Sequence, residues 1–239
     1  MNVESLVLVP GLLCTQELFA PQIAALASQA DIRVADHTRH TSMAEIAAGI
    51  LATAPARFAL AGLSMGGYIA QEMMRQAPSR ITRLALLDTN SRADRPEQTE
   101  QRRALMSLAE KEGSTAGVTE QLLPYLIHKD RLSDAPLVAI IRRMSLDTGV
   151  AAFKRQQAAI MARPEYRPFL KDIRCPTLVI VGAEDALTPV KVHEEIAAGI
   201  AGAQLEVIPS CGHLTTLEKP EAVIRMMKDW LSNPGPGDG

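Results

Sequence analysis

The joint between an apolar run and a helical pattern at residues 58–76 limits what this chain can fold into more than any other feature does. Phe58-Ala59-Leu60-Ala61 reads as a buried strand. Tyr68-Ile69-Ala70-Gln71-Glu72-Met73-Met74 has the apolar spacing of a helix. Between them stands Gly62-Leu63-Ser64-Met65-Gly66, a G-x-S-x-G. A strand passes into a helix over so few residues only through a tight turn, and side chains at the glycine positions would clash as the chain reverses. Such a turn holds Ser64 in a strained backbone conformation at the helix N-terminus. Its hydroxyl is then open to a base, with the positive end of the helix beneath it.

The rest of the chain repeats that alternation. Apolar runs at 5–9, 32–35, 58–61, 81–87, 177–181 and 204–208 read as strands of a parallel sheet buried on both faces. Helical patterns lie between and after them at 18–28, 42–54, 67–76, 190–200 and 220–231, the last starting at Pro220, a residue suited to a first helical turn. Strand and helix in turn argue for a doubly wound α/β sheet. Residues 95–168 break the rhythm, with no strand pattern and amphipathic stretches at 98–111, 115–127, 135–147 and 150–162. A helical insert between two strands of a parallel sheet is expected as a cap over their carboxyl ends, where ligands bind. The expected division is therefore a core of 1–94 and 169–232, a cap of 95–168, and a disordered tail of 233–239, whose Asn-Pro-Gly-Pro-Gly-Asp-Gly has nothing to bury.

Composition excludes several classes of function. The chain has 239 residues, 47% of them hydrophobic, enough for one well-cored domain. The formal net charge is −2 and there is no basic stripe, which speaks against nucleic acid and anionic membranes as partners. Three scattered cysteines, Cys14, Cys175 and Cys211, make neither a disulfide framework nor a zinc site, and reduced thiols in a cytoplasm fit them best. Leu6-Val7-Leu8-Val9 is too short for a signal-peptide core, lacks a basic flank and stops at Pro10-Gly11. No apolar stretch has the length of a membrane span.

A serine hydroxyl at neutral pH needs a general base, and the base needs an acid to orient it. Asp185 follows the fifth strand in Gly182-Ala183-Glu184-Asp185, and His213 follows the sixth in Cys211-Gly212-His213. Ser64, Asp185 and His213 thus all follow carboxyl ends of strands, in the chain order expected for this kind of turn. Glu184 adjoins the acid, and Asp88, after the fourth strand, is its rival. The remaining histidines, His37, His40, His128 and His193, are expected to face solvent. Donors for a tetrahedral oxyanion should be the backbone N–H groups of Met65 and of Leu12, the latter in the Pro10-Gly11-Leu12 loop after the first strand. Arg142-Arg143 and Lys154-Arg155 are the candidate charged anchors in the insert, and the ten methionines read chiefly as core filler.

The Gly62–Gly66 turn, the Gly182-x-x-Asp185-x-x-x-Pro189 loop, and Gly212-His213 with Leu217-Glu218-x-Pro220-Glu221 together resemble the α/β-hydrolase superfamily, over residues 4–232. Within it, the size and insert resemble small bacterial carboxylesterases, including those similar to pimeloyl-ester esterases and enol-lactonases. The resemblance implies an α/β-hydrolase fold, a mostly parallel sheet of about six strands flanked by helices with a helical cap. It implies a serine esterase with a Ser64–His213–Asp185 triad, a small-molecule ester as substrate, and neither metal nor organic cofactor. Pro10-Gly11 stands where many relatives have His-Gly, and the chain starts at the strand before that loop, which implies a trimmed sheet. Lactonase, thioesterase, C–C hydrolase and perhydrolase chemistry would use the same triad. A ligand-binding protein of the same fold is the non-enzymatic alternative.

Overall fold

A computed structural model of the protein describes residues 4–232; the proposed tail at 233–239 lies outside the described residues. Six strands form one parallel sheet in the order β2-β1-β3-β4-β5-β6. They are β1 (Glu4–Val9), β2 (Ala30–Val34), β3 (Phe58–Leu63), β4 (Ile81–Leu87), β5 (Thr177–Gly182) and β6 (Gln204–Ile208). The helices are α1 (Ala20–Leu26), α2 (Met43–Thr53), α3 (Met65–Gln76), α4 (Pro96–Glu112), α5 (Ala116–Leu126), α6 (Ala135–Met161), α7 (Arg167–Leu170), α8 (Val190–Gly199), α9 (Thr215–Glu218) and α10 (Pro220–Ser232). Among the described residues no helix is long and apolar enough to cross a membrane.

The central strands β3 and β5 are buried along their whole length because both faces of the sheet are covered. Leu6 and Leu8 of β1 point into one core layer with α1 and α10, whereas Val7 and Val9 point into the other with α2, α3 and α8. The edge strands β2 and β6 are partly exposed, which is why their runs are less purely apolar in sequence.

The chain leaves β1 for β2 on one side, then returns to place β3 on the other side of β1. That reversal opens a crevice at the carboxyl ends of β1 and β3, where ligands bind in open α/β sheets. Register pairs Val9 with Gly62, Leu63 with Leu87 and Gly182 with Ile208. The loops that follow these strands therefore meet on one rim.

All of α4, α5 and α6 lie between β4 and β5. Gly149, with φ 72° and ψ 167°, interrupts α6 and turns it into two helical pieces. This conformation is closed to most side chains, so the break belongs to the glycine. Leu137, Val138, Ile141 and Met144 of the first piece join the core layer that holds Leu6 and Leu8. Phe153 of the second is fully buried in a smaller cluster with Leu13, Ala109 and Val118.

Candidate active site

Ser64 stands between β3 and α3 with φ 56° and ψ −115°. A positive φ is a strained state for a residue with a side chain. The neighbouring glycines make the turn possible: a Cβ on Gly62 would lie 2.2 Å from the Gly66 carbonyl oxygen, and one on Gly66 would lie 1.9 Å from that of Val9. The Ser64 N–H donates to Leu87 O at 2.9 Å, and the Thr89 hydroxyl donates to Ser64 O at 2.8 Å.

His213 Nε2 lies 2.9 Å from Ser64 Oγ, and its Nδ1 lies 2.8 Å from Asp185 Oδ2. Asp185 sits in the loop after β5. Its Oδ1 accepts from the N–H groups of Leu187 and Thr188, each at 2.9 Å, and Oδ2 accepts from the Thr188 hydroxyl at 2.6 Å. Burial would depress the His213 imidazolium, but the Asp185 charge and hydrogen bond outweigh it and hold its pKa above the usual histidine value. Burial likewise works against the Asp185 carboxylate, yet His213 and the Thr188 donors leave its pKa below the usual value. With Nδ1–H donating to a carboxylate, Nε2 is the tautomer's free lone pair and faces the serine hydroxyl. The loop before His213 is held by Glu218, which accepts from Gly212 N–H at 2.9 Å and from His128 N–H at 2.7 Å.

Asp88, the rival acid, makes no hydrogen bond to His213. Its Oδ1 accepts from Gly182 N–H at 3.2 Å, and its Oδ2 accepts from the Thr215 hydroxyl at 2.6 Å and the Thr215 N–H at 3.2 Å. It ties the ends of β4 and β5 to the start of α9. Complete burial, then the nearby Asp185 charge, pushes its pKa well above the carboxylate range. Glu184 is exposed and accepts from Cys211 N–H at 3.0 Å.

Three of the four remaining histidines overturn the expectation that they face solvent. His40 is exposed, but His37, His128 and His193 are buried. His193 Nε2 accepts from Thr89 N–H at 2.8 Å, and burial lowers its pKa to about 4. It is a neutral brace behind the residue that holds the Ser64 carbonyl. His37 Nε2 lies 2.9 Å from both Gly11 O and Gln156 Nε2. With a hydrogen on that nitrogen it donates to Gly11; without one it accepts from Gln156. Either way it joins the loop after β2 to its neighbours. The pairing of Thr89 with His193 was invisible in the sequence, since the two lie 104 residues apart.

Of the two proposed oxyanion donors, Leu12 lines the cavity that Ser64 opens into, and Met65 follows Ser64 in the chain. Met65 opens α3, so its N–H has no intrahelical acceptor. A Cβ on Gly11 would lie 3.4 Å from Ser64 Cβ, and the N–H of Leu12, next in the chain, has no acceptor among the described residues. Leu13 N–H is engaged by Gln156 Oε1 at 3.2 Å.

Ser64 and His213 open into a cavity of about 190 Å³. Leu105, Leu122, Ile141 and Met144 form much of its apolar wall, and α4 adds Gln98, Gln101 and Arg102. The anchors expected in the insert are engaged elsewhere. Arg142 pairs with Glu120, Arg143 with Glu17 and Lys154 with Glu110, while Arg155 donates to Thr38 O. Among the described residues no group of three or more His, Cys, Asp or Glu is arranged to hold a metal ion.

The chain is 32% identical, over 82% of its length and 76% of the relative's, to a Mycobacterium tuberculosis protein that carries the name non-heme bromoperoxidase BpoC. A thermophilic esterase from Thermogutta terrifontis, solved with malate bound, superposes with a TM-score of 0.86 at 29% identity, covering 95% of this chain and 89% of that one. The enol-lactonase from Burkholderia xenovorans LB400 superposes with a TM-score of 0.86 at 26% identity, covering 98% and 93%. The sequence model of the alpha/beta hydrolase family matches residues 6–226, and with that sheet, that turn and these relatives the chain belongs to the alpha/beta hydrolase family.

Proposed function

We propose that this protein is a serine hydrolase that cleaves a small carboxylic ester through an acyl-enzyme. The observation that carries the reading is the unbroken chain from Ser64 Oγ through His213 to Asp185, at 2.9 and 2.8 Å. Ser64 Oγ attacks the ester carbonyl as His213 Nε2 takes its proton. The oxyanion forms against the N–H groups of Leu12 and Met65. Collapse expels the alcohol, protonated by His213, and leaves the acyl group on Ser64. Water then attacks with His213 as base, and the acid departs. Asp185 holds the ring in the needed tautomer and stabilises the imidazolium. In this reading residues 95–168 act as a cap over the rim, and the flanking chain is the catalytic core. Three unpaired cysteines, with burial pushing the Cys14 thiol up to about 12, fit a reducing cytoplasm.

A lactone is the second reading, favoured by the likeness to the enol-lactonase. A panel of p-nitrophenyl acyl esters, lactones and thioesters ranks the substrates, with Ser64→Ala as control. Ester turnover that Ser64→Ala lowers by about 10⁶ supports the proposal. Esterase activity that survives Ser64→Ala contradicts it.

A further inference from the structure

Two arginines of the insert meet the aspartate just before it, Asp94, in one buried spot. Arg102 Nε donates to Asp94 Oδ2 at 2.7 Å, and Arg163 Nη1 donates to Asp94 Oδ1 at 2.6 Å. The Asp94 and Arg163 side chains are each 1% exposed and that of Arg102 is 20% exposed. Two guanidinium groups thus share one carboxylate, which leaves one positive charge uncompensated in a sheltered place. A net positive charge in a sheltered place is unfavourable, so an arrangement of this kind gains from an anion.

The two arginines differ in what they have left to give. Arg163 also donates to Arg92 O and Ile160 O and stacks over the Tyr68 ring, 4.4 Å from its centre. Arg102 Nη1 donates to Gln157 Oε1 at 3.0 Å, while its Nη2 has no partner among the described residues. Because a guanidinium only donates, the Gln157 amide must present its oxygen to Arg102 and its Nε2 away from it. That Nε2 is buried and has no hydrogen-bond partner. Both Arg102 and Gln157 line the cavity that holds Ser64 and His213. Arg163 already holds Asp94, so Arg102 is not needed to neutralise it, and Gln157 Nε2 is left as a buried donor without a partner.

We propose that Arg102 and Gln157 form an anion-binding subsite inside the cavity, which takes a carboxylate carried by the substrate. The substrate class is then an acidic ester or lactone, such as the monoester of a dicarboxylic acid, with its apolar stem against Leu105, Leu122 and Ile141. This rests on the ester-hydrolase reading for the fate of the substrate, but not for its binding.

The test compares kcat/KM for mono-p-nitrophenyl adipate with that for neutral p-nitrophenyl hexanoate, each corrected with a Ser64→Ala blank. The wild-type protein should favour the acidic ester by about tenfold or more, the worth of a charge-assisted hydrogen bond. Arg102→Gln should lower that ratio by about tenfold or more, and Gln157→Leu should lower it less. A ratio that neither variant changes, with hexanoate still hydrolysed, overturns the subsite and leaves the hydrolase reading intact. If the wild type hydrolyses neither ester, the hydrolase reading is what fails. Calorimetric binding of adipate then decides the subsite alone: a Kd that rises about tenfold in Arg102→Gln supports it, and equal binding overturns it.

Discussion

In the proposed mechanism His213 is the residue through which pH reaches the site. There its neutral form is the base, so activity should be present above its pKa and be lost as pH falls through it. Burial alone would set that pKa low, but Asp185 raises it above the usual 6.5. The acid limb of kcat/KM should therefore have its midpoint above pH 6.5. Asp185→Asn removes the raising cause, so the midpoint should move down while kcat falls by about 10⁴. A wild-type pH profile with its midpoint below 6.5 would count against this pairing. That Ser64, Asp185 and His213 lie together was legible because each follows a strand end that the sequence marks. The burial of His37 and His193 was not, since their partners, Gly11 and Thr89, lie on other elements. Arg102 did leave a signal: Gln98, Gln101, Arg102 and Leu105 follow the 3.6-residue period along one helix face, and all four line the cavity.

Elements matter here chiefly by where they stop. β3 was legible as a fully buried run, but its end lies two residues later than the apolar pattern indicates, because Gly62 and Leu63 still pair with β4. The gap at 148–149 between two helical patterns is the Gly149 break in α6. Four-residue helices such as α9 are too short to show a period and went unread. The loop after β1 is held by contacts that no local pattern announces. Gly11 C=O and Leu12 N–H belong to one peptide plane, so His37, when its Nε2 carries the hydrogen and donates to that carbonyl, also orients the proposed oxyanion donor. His37→Ala should loosen that plane and lower kcat by about tenfold with little change in KM, a smaller effect than loss of a donor itself. Steady-state kinetics on one neutral ester measures it. An effect confined to KM would show that His37 shapes the pocket instead.

At the scale of the whole molecule, the helices between β4 and β5 share a core with the sheet. Leu123, Ile127 and Met144 pack in the same layer as Leu6, Leu8 and Trp230. Phe153 joins α4 and α5 to Leu13 of the loop after β1. These helices and the sheet should therefore unfold in one transition, and Phe153→Ala should destabilise it by about 3–5 kcal/mol. Urea denaturation followed by far-ultraviolet circular dichroism checks this; two separated transitions would mean that the helical segment stands apart. The alternation of strand and helix was legible across the chain because buried parallel strands have no polar face to blur them. What fills the cavity was not legible, since it depends on which helix faces meet. If this assembly makes Ser64 a nucleophile, as proposed, Ser64 should react with an electrophile that other serines ignore. Labelling the intact protein with a fluorophosphonate, followed by peptide mass spectrometry, tests this most directly. One adduct per chain on Ser64, absent from Ser64→Ala and much slowed in His213→Ala, is the expected result. No adduct, or one that persists in Ser64→Ala, would contradict it.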